Sequence, residues 1–342
     1  MNGLHVLKGV EDWRHELAED PLPWLLEEDN PAVRHMTLRL LLDDDNSKLG
    51  AAQRAAMRAD PIATILERQQ PEGHWIKPGP GYAPKYTGTV WSVIFLDQLG
   101  ADGRDHRIER ACEYVLSYAQ ADTGGFSASA SKGGFGSASG VIHCLNGNLL
   151  RALLGFGWLD DSRVERAIDW QARSVTGEGF EAYFRSGTSG PGFSCAANGG
   201  LPCAWGAIKA LRALARIPRR RRKRSVGRAI DVGVDFLLSR DPAVADYPTS
   251  TRISSNWFKL GFPSGYVADL LQNLETLAEL GLAQDPRLSN AVDWVLSQQD
   301  DHGRWRNRYA YNGKMWIDVE RQGAPSKWVT LRACLVLKSV FA

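Results

Sequence analysis

Gln69-Gln70-Pro71-Glu72-Gly73-His74-Trp75 and Gln299-Asp300-Asp301-His302-Gly303-Arg304-Trp305 carry one pattern, Gln-x3-Gly-x-Trp, near the two ends of a 342-residue chain. A third copy, Gln120-Ala121-Asp122-Thr123-Gly124-Gly125-Phe126, lies between them and ends in Phe. Each copy closes one helical apolar pattern and precedes a loop leading to another. A motif recurring in this way makes the helix pair, not the single helix, the unit of the fold.

Two kinds of helix alternate. The first kind opens with an acid and carries surface charge, as in the segments begun by Asp105, Asp161 and Asp285. Asp at that place caps the helix, and the charged residues face water. The second kind is apolar on most faces and reads as buried. It covers residues 86–99, 141–156, 202–217, 265–280 and 327–341. Gly100, Gly157, Pro218 and Gly281 stop four of these helices, at a period of roughly sixty residues. Residues 31–42 and 47–59 supply a further pair. Buried helices alternating with charged ones close into an inner ring and an outer ring, because each pair covers its apolar side only against its neighbours. The expectation is an all-α protein, an α/α toroid of five to six helix pairs. Residues 1–60 would complete the ring begun by residues 61–342, in one structural domain.

The totals fit this. Hydrophobic residues make up 44% and charged residues 23%, ordinary for a globular chain. The net charge of +2 gives no global field for nucleic acid or an anionic membrane. No run approaches the roughly 20 apolar residues that span a bilayer. Residues 1–13 show no charged-then-apolar leader pattern, so a cytoplasmic protein is expected. Five cysteines, an odd number, do not make a disulfide framework. Twelve tryptophans are many, and they point to cavity walls or repeat-specific packing.

The Gln-x3-Gly-x-Trp copies resemble the repeat of the squalene–hopene cyclase and oxidosqualene cyclase group, whose toroid also forms the β-subunits of protein prenyltransferases. Over residues 61–342 the chain looks like a small, single-toroid bacterial relative of that superfamily. The resemblance implies the fold and an apolar or isoprenoid substrate. It also implies that Gln69, Trp75, Gln299 and Trp305 stitch neighbouring repeats. The Asp-x-Asp-Asp acid of the proton-initiated cyclases is missing, and so is the Asp-Asp-x-x-Asp pattern of ionising synthases. Asp43-Asp44-Asp45 is the nearest run, and it reads as a solvated turn at a helix end.

Three constellations could carry chemistry. His143, Cys144, Cys195 and Cys203 lie at or before the starts of consecutive buried helices, where N and S ligands could hold zinc. The resemblance adds that prenyltransferases hold zinc at a corresponding rim. Adjacent residues on a helix diverge by about 100°, so His143 and Cys144 would not both join. Buried, inert thiols are the other reading. Second, Lys85, Tyr86, Trp91, Trp205, Lys209, Trp257, Lys327, Trp328 and Arg332 mark the beginnings of the apolar helices. In a toroid these starts share one rim, and a ring of cations and indoles there would suit an amphiphile with an anionic head. Packing of the rim is the other reading. Third, Asp246, Asp269, Asp318 and Glu320 are the acids available to a two-carboxylate site, although no pair among them is recognisable.

Gly- and Ser-rich loops at 82–88, 127–140 and 185–200 lead to the same rim. The basic run of residues 219–224 stands alone, without interleaved aromatics, and reads as a solvated loop. Three functions follow: an enzyme of terpene cyclase or prenyltransferase type holding an apolar or isoprenoid-diphosphate substrate, a zinc-assisted hydrolase, and a non-catalytic binding module. The expected partner is a small apolar or amphiphilic molecule, with no nucleic acid and no membrane span. No Gly-x-Ser-x-Gly elbow marks a serine hydrolase.

Overall fold

The computed structural model describes residues 12–42, 46–179, 186–249 and 255–341. The Asp43-Asp44-Asp45 run lies outside the described residues. Among those described there is no strand, and the few β contacts are isolated bridges in loops. The architecture is an all-α toroid.

The inner ring is built from α2 (Pro31–Met36, continued by a π turn, Thr37–Leu41), α5 (Thr89–Gln98), α7 (His143–Gly155), α9 (Ala204–Ala215), α11 (Leu270–Glu279) and α13 (Lys327–Phe341). Outside them lie α4 (Ile62–Glu67), α6 (His106–Tyr118), α8 (Ser162–Thr176), α10 (Arg224–Leu238) and α12 (Ser289–Leu296). The segment with the 3₁₀ turn Asp12–Glu16 and α1 (Leu22–Leu25) packs on α13, and α3 (Asn46–Arg58) packs on α2. Contacts run α5 to α7, α7 to α9, α9 to α11, α11 to α13 and α13 back to α2. Gly100, just past α5, packs so close to α2 that a Cβ on it would lie 2.6 Å from the Met36 sulfur, which completes the circle.

Asp105 and Asp161 cap α6 and α8 as predicted, and Asp285 caps the 3₁₀ turn Pro286–Leu288 that leads into α12. Asp105, Asp161 and Asp285 accept the backbone N–H of Arg107, Arg163 and Arg287 at 2.9, 2.7 and 3.0 Å. The basic run is tied down locally. Arg222 donates to the carbonyls of Ile217 and Ala215, and Arg221 and Lys223 pair with Asp160 and Glu165.

The motif ties each repeat in three directions. Its Gln reaches the next outer segment: Gln69 Nε2 donates to Arg107 O at 2.8 Å, and Gln120 Nε2 to Arg163 O at 2.7 Å. Its indole reaches back along its own outer helix: Trp75 Nε1 donates to Ile65 O and Trp305 Nε1 to Val295 O, both at 2.7 Å. Its backbone reaches its own inner helix. The N–H groups of Trp75, Phe126 and Trp305 donate to Thr89, Asn146 and Thr330 side chains at 3.1, 3.0 and 3.0 Å. A Phe at the third copy loses only the indole bond.

The motif glycine has two reasons to be glycine. Gly73, Gly124 and Gly303 have φ of 100°, 97° and 64°, in the left-handed region. A Cβ on them would lie 2.6, 2.8 and 2.1 Å from the carbonyl oxygens of Arg110, Arg166 and Glu19. The last copy therefore lands on the N-terminal segment. Gln299 Oε1 accepts from Ala18 N at 2.9 Å, and its Nε2 donates to Glu16 O at 3.2 Å. The same device that joins neighbours closes the ring.

Gly303→Ala is expected to lower stability by about 3 kcal/mol or more, since it combines left-handed strain with a backbone clash. Gly313→Ala is the control. Its φ is 71° but nothing lies within 4 Å of a Cβ, so strain alone, about 1 kcal/mol, is expected. Urea unfolding of both variants checks the difference.

Candidate functional site

Among the described residues, two cavities that open along the ring stand out. The larger, about 540 Å³, is central and is lined by all six inner helices. It lies toward the later halves of α5, α7 and α9, where Asp97, Gln98, Arg151, Arg212 and Arg216 face it. Its wall carries six cations (Arg39, Arg151, Lys209, Arg212, Arg216, Arg332) against three carboxylates (Asp97, Glu275, Glu279).

The carboxylates are shared among the arginines, and each pair crosses from one inner helix to another. Arg151 grips Glu279 with two bonds of 2.7 and 2.8 Å, tying α7 to α11. Arg332 grips Glu275 at 2.8 and 2.9 Å from α13, and Arg212 reaches the same carboxylate at 2.6 Å from α9. Arg216, just past α9, pairs with Asp97 of α5 at 2.9 Å. Burial alone would raise the Glu275 carboxyl, but Arg212 and Arg332 outweigh it and hold it at about 2. Glu279 is opposed by burial and lowered in the same way by Arg151 and Arg212.

Two cations stand outside this sharing. Arg39 sits at the mouth, exposed, with no ion-pair partner among the described residues. Lys209 is 1% exposed. Its Nζ donates to Gln272 Oε1 at 2.5 Å and Ser264 Oγ at 3.3 Å, with no carboxylate in ion-pair reach among the described residues. Burial, then the neighbouring Arg212, pull its pKa from 10.5 to about 7. The sequence placed Lys209 near the beginning of its helix, and the fold explains its depth. A Cβ on Gly147 of α7 would lie 2.4 Å from the Lys209 carbonyl, so the α7 and α9 backbones pack almost in contact there. Met36 and Leu40 of the α2 segment with Leu331 and Leu335 of α13 give the cavity an apolar arc across the ring from α7 and α9.

The second cavity, about 390 Å³, lies at the other end, over the beginnings of α7 and α9. It is mostly apolar, with Trp205, Tyr247, Trp257 and Tyr266 in its wall. His143, Cys144, Cys195 and Cys203 all line it. His143 is not offered to a metal. Its Nε2 bonds Gly190 O at 2.9 Å and its Nδ1 bonds Gln171 Nε2 at 3.0 Å, while burial lowers its pKa to about 4. A neutral ring with the proton on Nε2 satisfies both partners. Among the described residues no three His, Cys, Asp or Glu side chains converge as a metal site would need. Cys112 and Cys334 are buried thiols in the core, as the sequence suggests.

The predicted rim does not form one site. Lys85 is exposed. Lys327 is buried, pairs with Glu27 at 2.8 Å and with Asp29, and lies 5.5 Å over the Trp24 ring. It fastens α13 to the N-terminal segment. Trp91 donates its N–H to Tyr82 O at 2.8 Å, Tyr86 stacks on Tyr311 at 4.3 Å, and Trp328 stacks on Phe262 at 4.3 Å. Trp257 donates to Pro242 O at 2.9 Å. These are packing contacts, although Trp328 edges the central cavity and Trp205 and Trp257 the apolar one. Arg332 faces the central cavity with its charge shared between Glu275 and Asp269.

The proposed acids separate as well. Asp246 is exposed and pairs with Arg240 at 3.3 Å, and Asp318 is exposed and accepts from Gly313 N at 2.7 Å. Asp269 is buried as the cap of α11, accepting Gln272 N at 2.7 Å and Gly261 N at 3.0 Å. Burial raises Glu320 to about 7, but it supports the first turn of α13 through Ser326 and Trp328 N and lines neither cavity. The charged network is what sequence reading missed. Its signal was present: Lys209, Arg212 and Arg216, and Glu275 and Glu279, fall three or four residues apart inside otherwise apolar helices.

No family model matches this chain, and no curated protein matches it. Among solved structures, it is similar to an unsaturated glucuronyl hydrolase specific for heparin at 11% identity, covering 94% of this chain and 86% of that one, with a TM-score of 0.48. The Lin0763 protein from Listeria innocua gives 10% identity over 93% and 84%, with a TM-score of 0.45. The type II terpene cyclase MstE from Scytonema gives 14% over 81% and 95%, with a TM-score of 0.29. At such scores none of them carries a chemistry over to this chain.

Proposed function

We propose that this chain is an α/α-toroid enzyme that takes an amphiphilic substrate with an anionic head, best matched by a diphosphate, into the central cavity. The observation that carries this reading is the wall's charge: six cations against three carboxylates, with Lys209 and Arg39 left for a ligand. The apolar arc of α2 and α13 suits the chain of an isoprenoid. Bidentate guanidinium groups suit phosphate oxygens.

Lys209 is the residue of choice for proton transfer. A general base works best with a pKa near the operating pH, and burial brings its pKa to about 7. As the ammonium it would pair with the head or protonate a leaving oxygen. As the free amine it would accept a proton from the substrate. A two-carboxylate hydrolase is the weaker reading. It needs one acid protonated near neutrality, whereas Glu275 and Glu279 are both held below the usual range. A zinc-bound water in the apolar pocket is weaker too, because His143 already uses both ring nitrogens.

Calorimetric titration tests the substrate class. A prenyl diphosphate is expected to bind at least about tenfold tighter than the matching prenyl alcohol, and Lys209→Met to remove about tenfold of that affinity. Equal binding of the alcohol, or no binding of prenyl diphosphate and inorganic diphosphate alike, overturns the reading.

The buried amine has a signature in stability as well. Its folded pKa, about 7, lies below the unfolded value of 10.5. The unfolded chain therefore holds one more proton between these values, and stability rises with pH across that window. Lys209→Met removes the rise. Urea unfolding should show the variant's advantage over the parent largest at pH 6 and shrinking by about 1.4 kcal/mol per pH unit above 7.

A further inference from the structure

The apolar pocket holds a second arrangement that the central cavity does not use. Residues 193–203 form a small hairpin with Ser194 opposite Pro202. Cys195 N donates to Leu201 O at 3.2 Å and Cys203 N to Phe193 O at 3.0 Å. With side chains alternating along each arm, Cys195 and Cys203 point to the same face, one step apart diagonally. That face is the pocket wall. The neighbouring Cys203 thiol, then the backbone N–H groups of Ala197 and Asn198, pull the Cys195 thiol down to about 6. Cys144, on the first turn of α7, lines the same pocket. Cys195 is half-buried, so a small reagent entering the pocket can reach it.

We propose that Cys195 and Cys203 form a reactive dithiol in this pocket, with Cys195 as the attacking sulfur toward hydroperoxides and Cys203 as the resolving one. The Cys203 thiol and the polar backbone of the turn favour charge on the Cys195 sulfur, and a thiolate is the form that attacks. In the first step the Cys195 sulfur attacks the terminal oxygen of the peroxide. An S–O bond forms, the O–O bond breaks, and the departing oxygen takes up the proton Cys195 gave up. In the second step the Cys203 sulfur attacks Cys195. The S–S bond forms, the S–O bond breaks, and water leaves with the Cys203 proton. Two thiols are oxidised by two electrons, and one hydroperoxide is reduced to an alcohol and water. An external dithiol would restore the pair.

The disulfide would fasten the two arms of the hairpin that leads into α9, so oxidation would fix one wall of the pocket. The inference is independent of the anionic substrate, which the other cavity would take.

The test is exposure of the reduced, full-length protein to equimolar hydrogen peroxide, followed by mass spectrometry without reductant. The expected product has lost two hydrogens and yields a linked peptide joining Cys195 to Cys203. In Cys203→Ser, oxidation should stop at a sulfenic acid on Cys195 that dimedone traps. Cys144→Ser should form the same disulfide as the parent. The proposal is overturned if the parent gives no disulfide while Cys195 proceeds to sulfinic acid, or if the linked peptide contains Cys144. It also fails if the purified protein retains one zinc per chain that blocks the reaction and is lost in Cys203→Ser. Because the first readout is on the parent protein, a variant that misfolds does not decide the result.

Discussion

One backbone-to-backbone contact sets the geometry of this toroid. At each motif copy the chain leaves an outer helix, turns through a left-handed glycine, and passes so close to the next outer segment that a methyl group would not fit. The Gln side chain then bonds a carbonyl of that segment. Because the glycine removes any side-chain spacer, neighbouring pairs are held at a fixed separation. Inner helices joined at fixed separation must curve. The last copy meets residues 16–19, so the chain's two ends hold the ring shut through contacts 281 and 283 residues apart. Lys327, with Glu27 and Asp29, makes the same closure from the inner ring.

Closure has an electrostatic consequence. A charged side chain on the inner face of a ring helix reaches water only through the cavity. It must find a partner or shift its pKa. Arg151, Arg212, Arg216 and Arg332 find partners on other helices. Such pairs are weak evidence for stability, since well-packed apolar residues would serve as well or better. The excess of cations argues more strongly. A fold seeking only stability would balance its charges, and here two cations lack carboxylate partners among the described residues.

The fold was legible because its signals are periodic and local. Apolar spacing located the inner helices, and the observed bounds differ from the expected ones mainly where loops adopt 3₁₀ or extended turns before α5 and α11. Asp105, Asp161 and Asp285 announced the outer helices through capping chemistry. The site was less legible, because a repeat tells which helices are inside but not which of their residues face the axis. The charges of α9 and α11 were visible as exceptions within apolar segments, whereas the thiols and helix-start aromatics drew attention by residue type alone. Lys327 shows the difficulty. Its sequence neighbourhood resembles that of Lys209, yet it points outward to the N-terminal acids while Lys209 points to the axis.

The placement of Lys209 would join electrostatics to the proposed ligand binding. Its pKa is low because burial and the neighbouring Arg212 disfavour the ammonium, and Asp269, beyond ion-pair reach, opposes them only in part. An anion entering the central cavity would supply the missing negative charge. The ammonium would then be favoured, and the amine would take up a proton as the ligand binds. By linkage, the protonated protein must bind the anion more tightly than the neutral one. A group that changes protonation when its ligand arrives is already poised for proton transfer to or from that ligand. The same burial that makes Lys209 costly to the fold is therefore what would make it useful to the reaction.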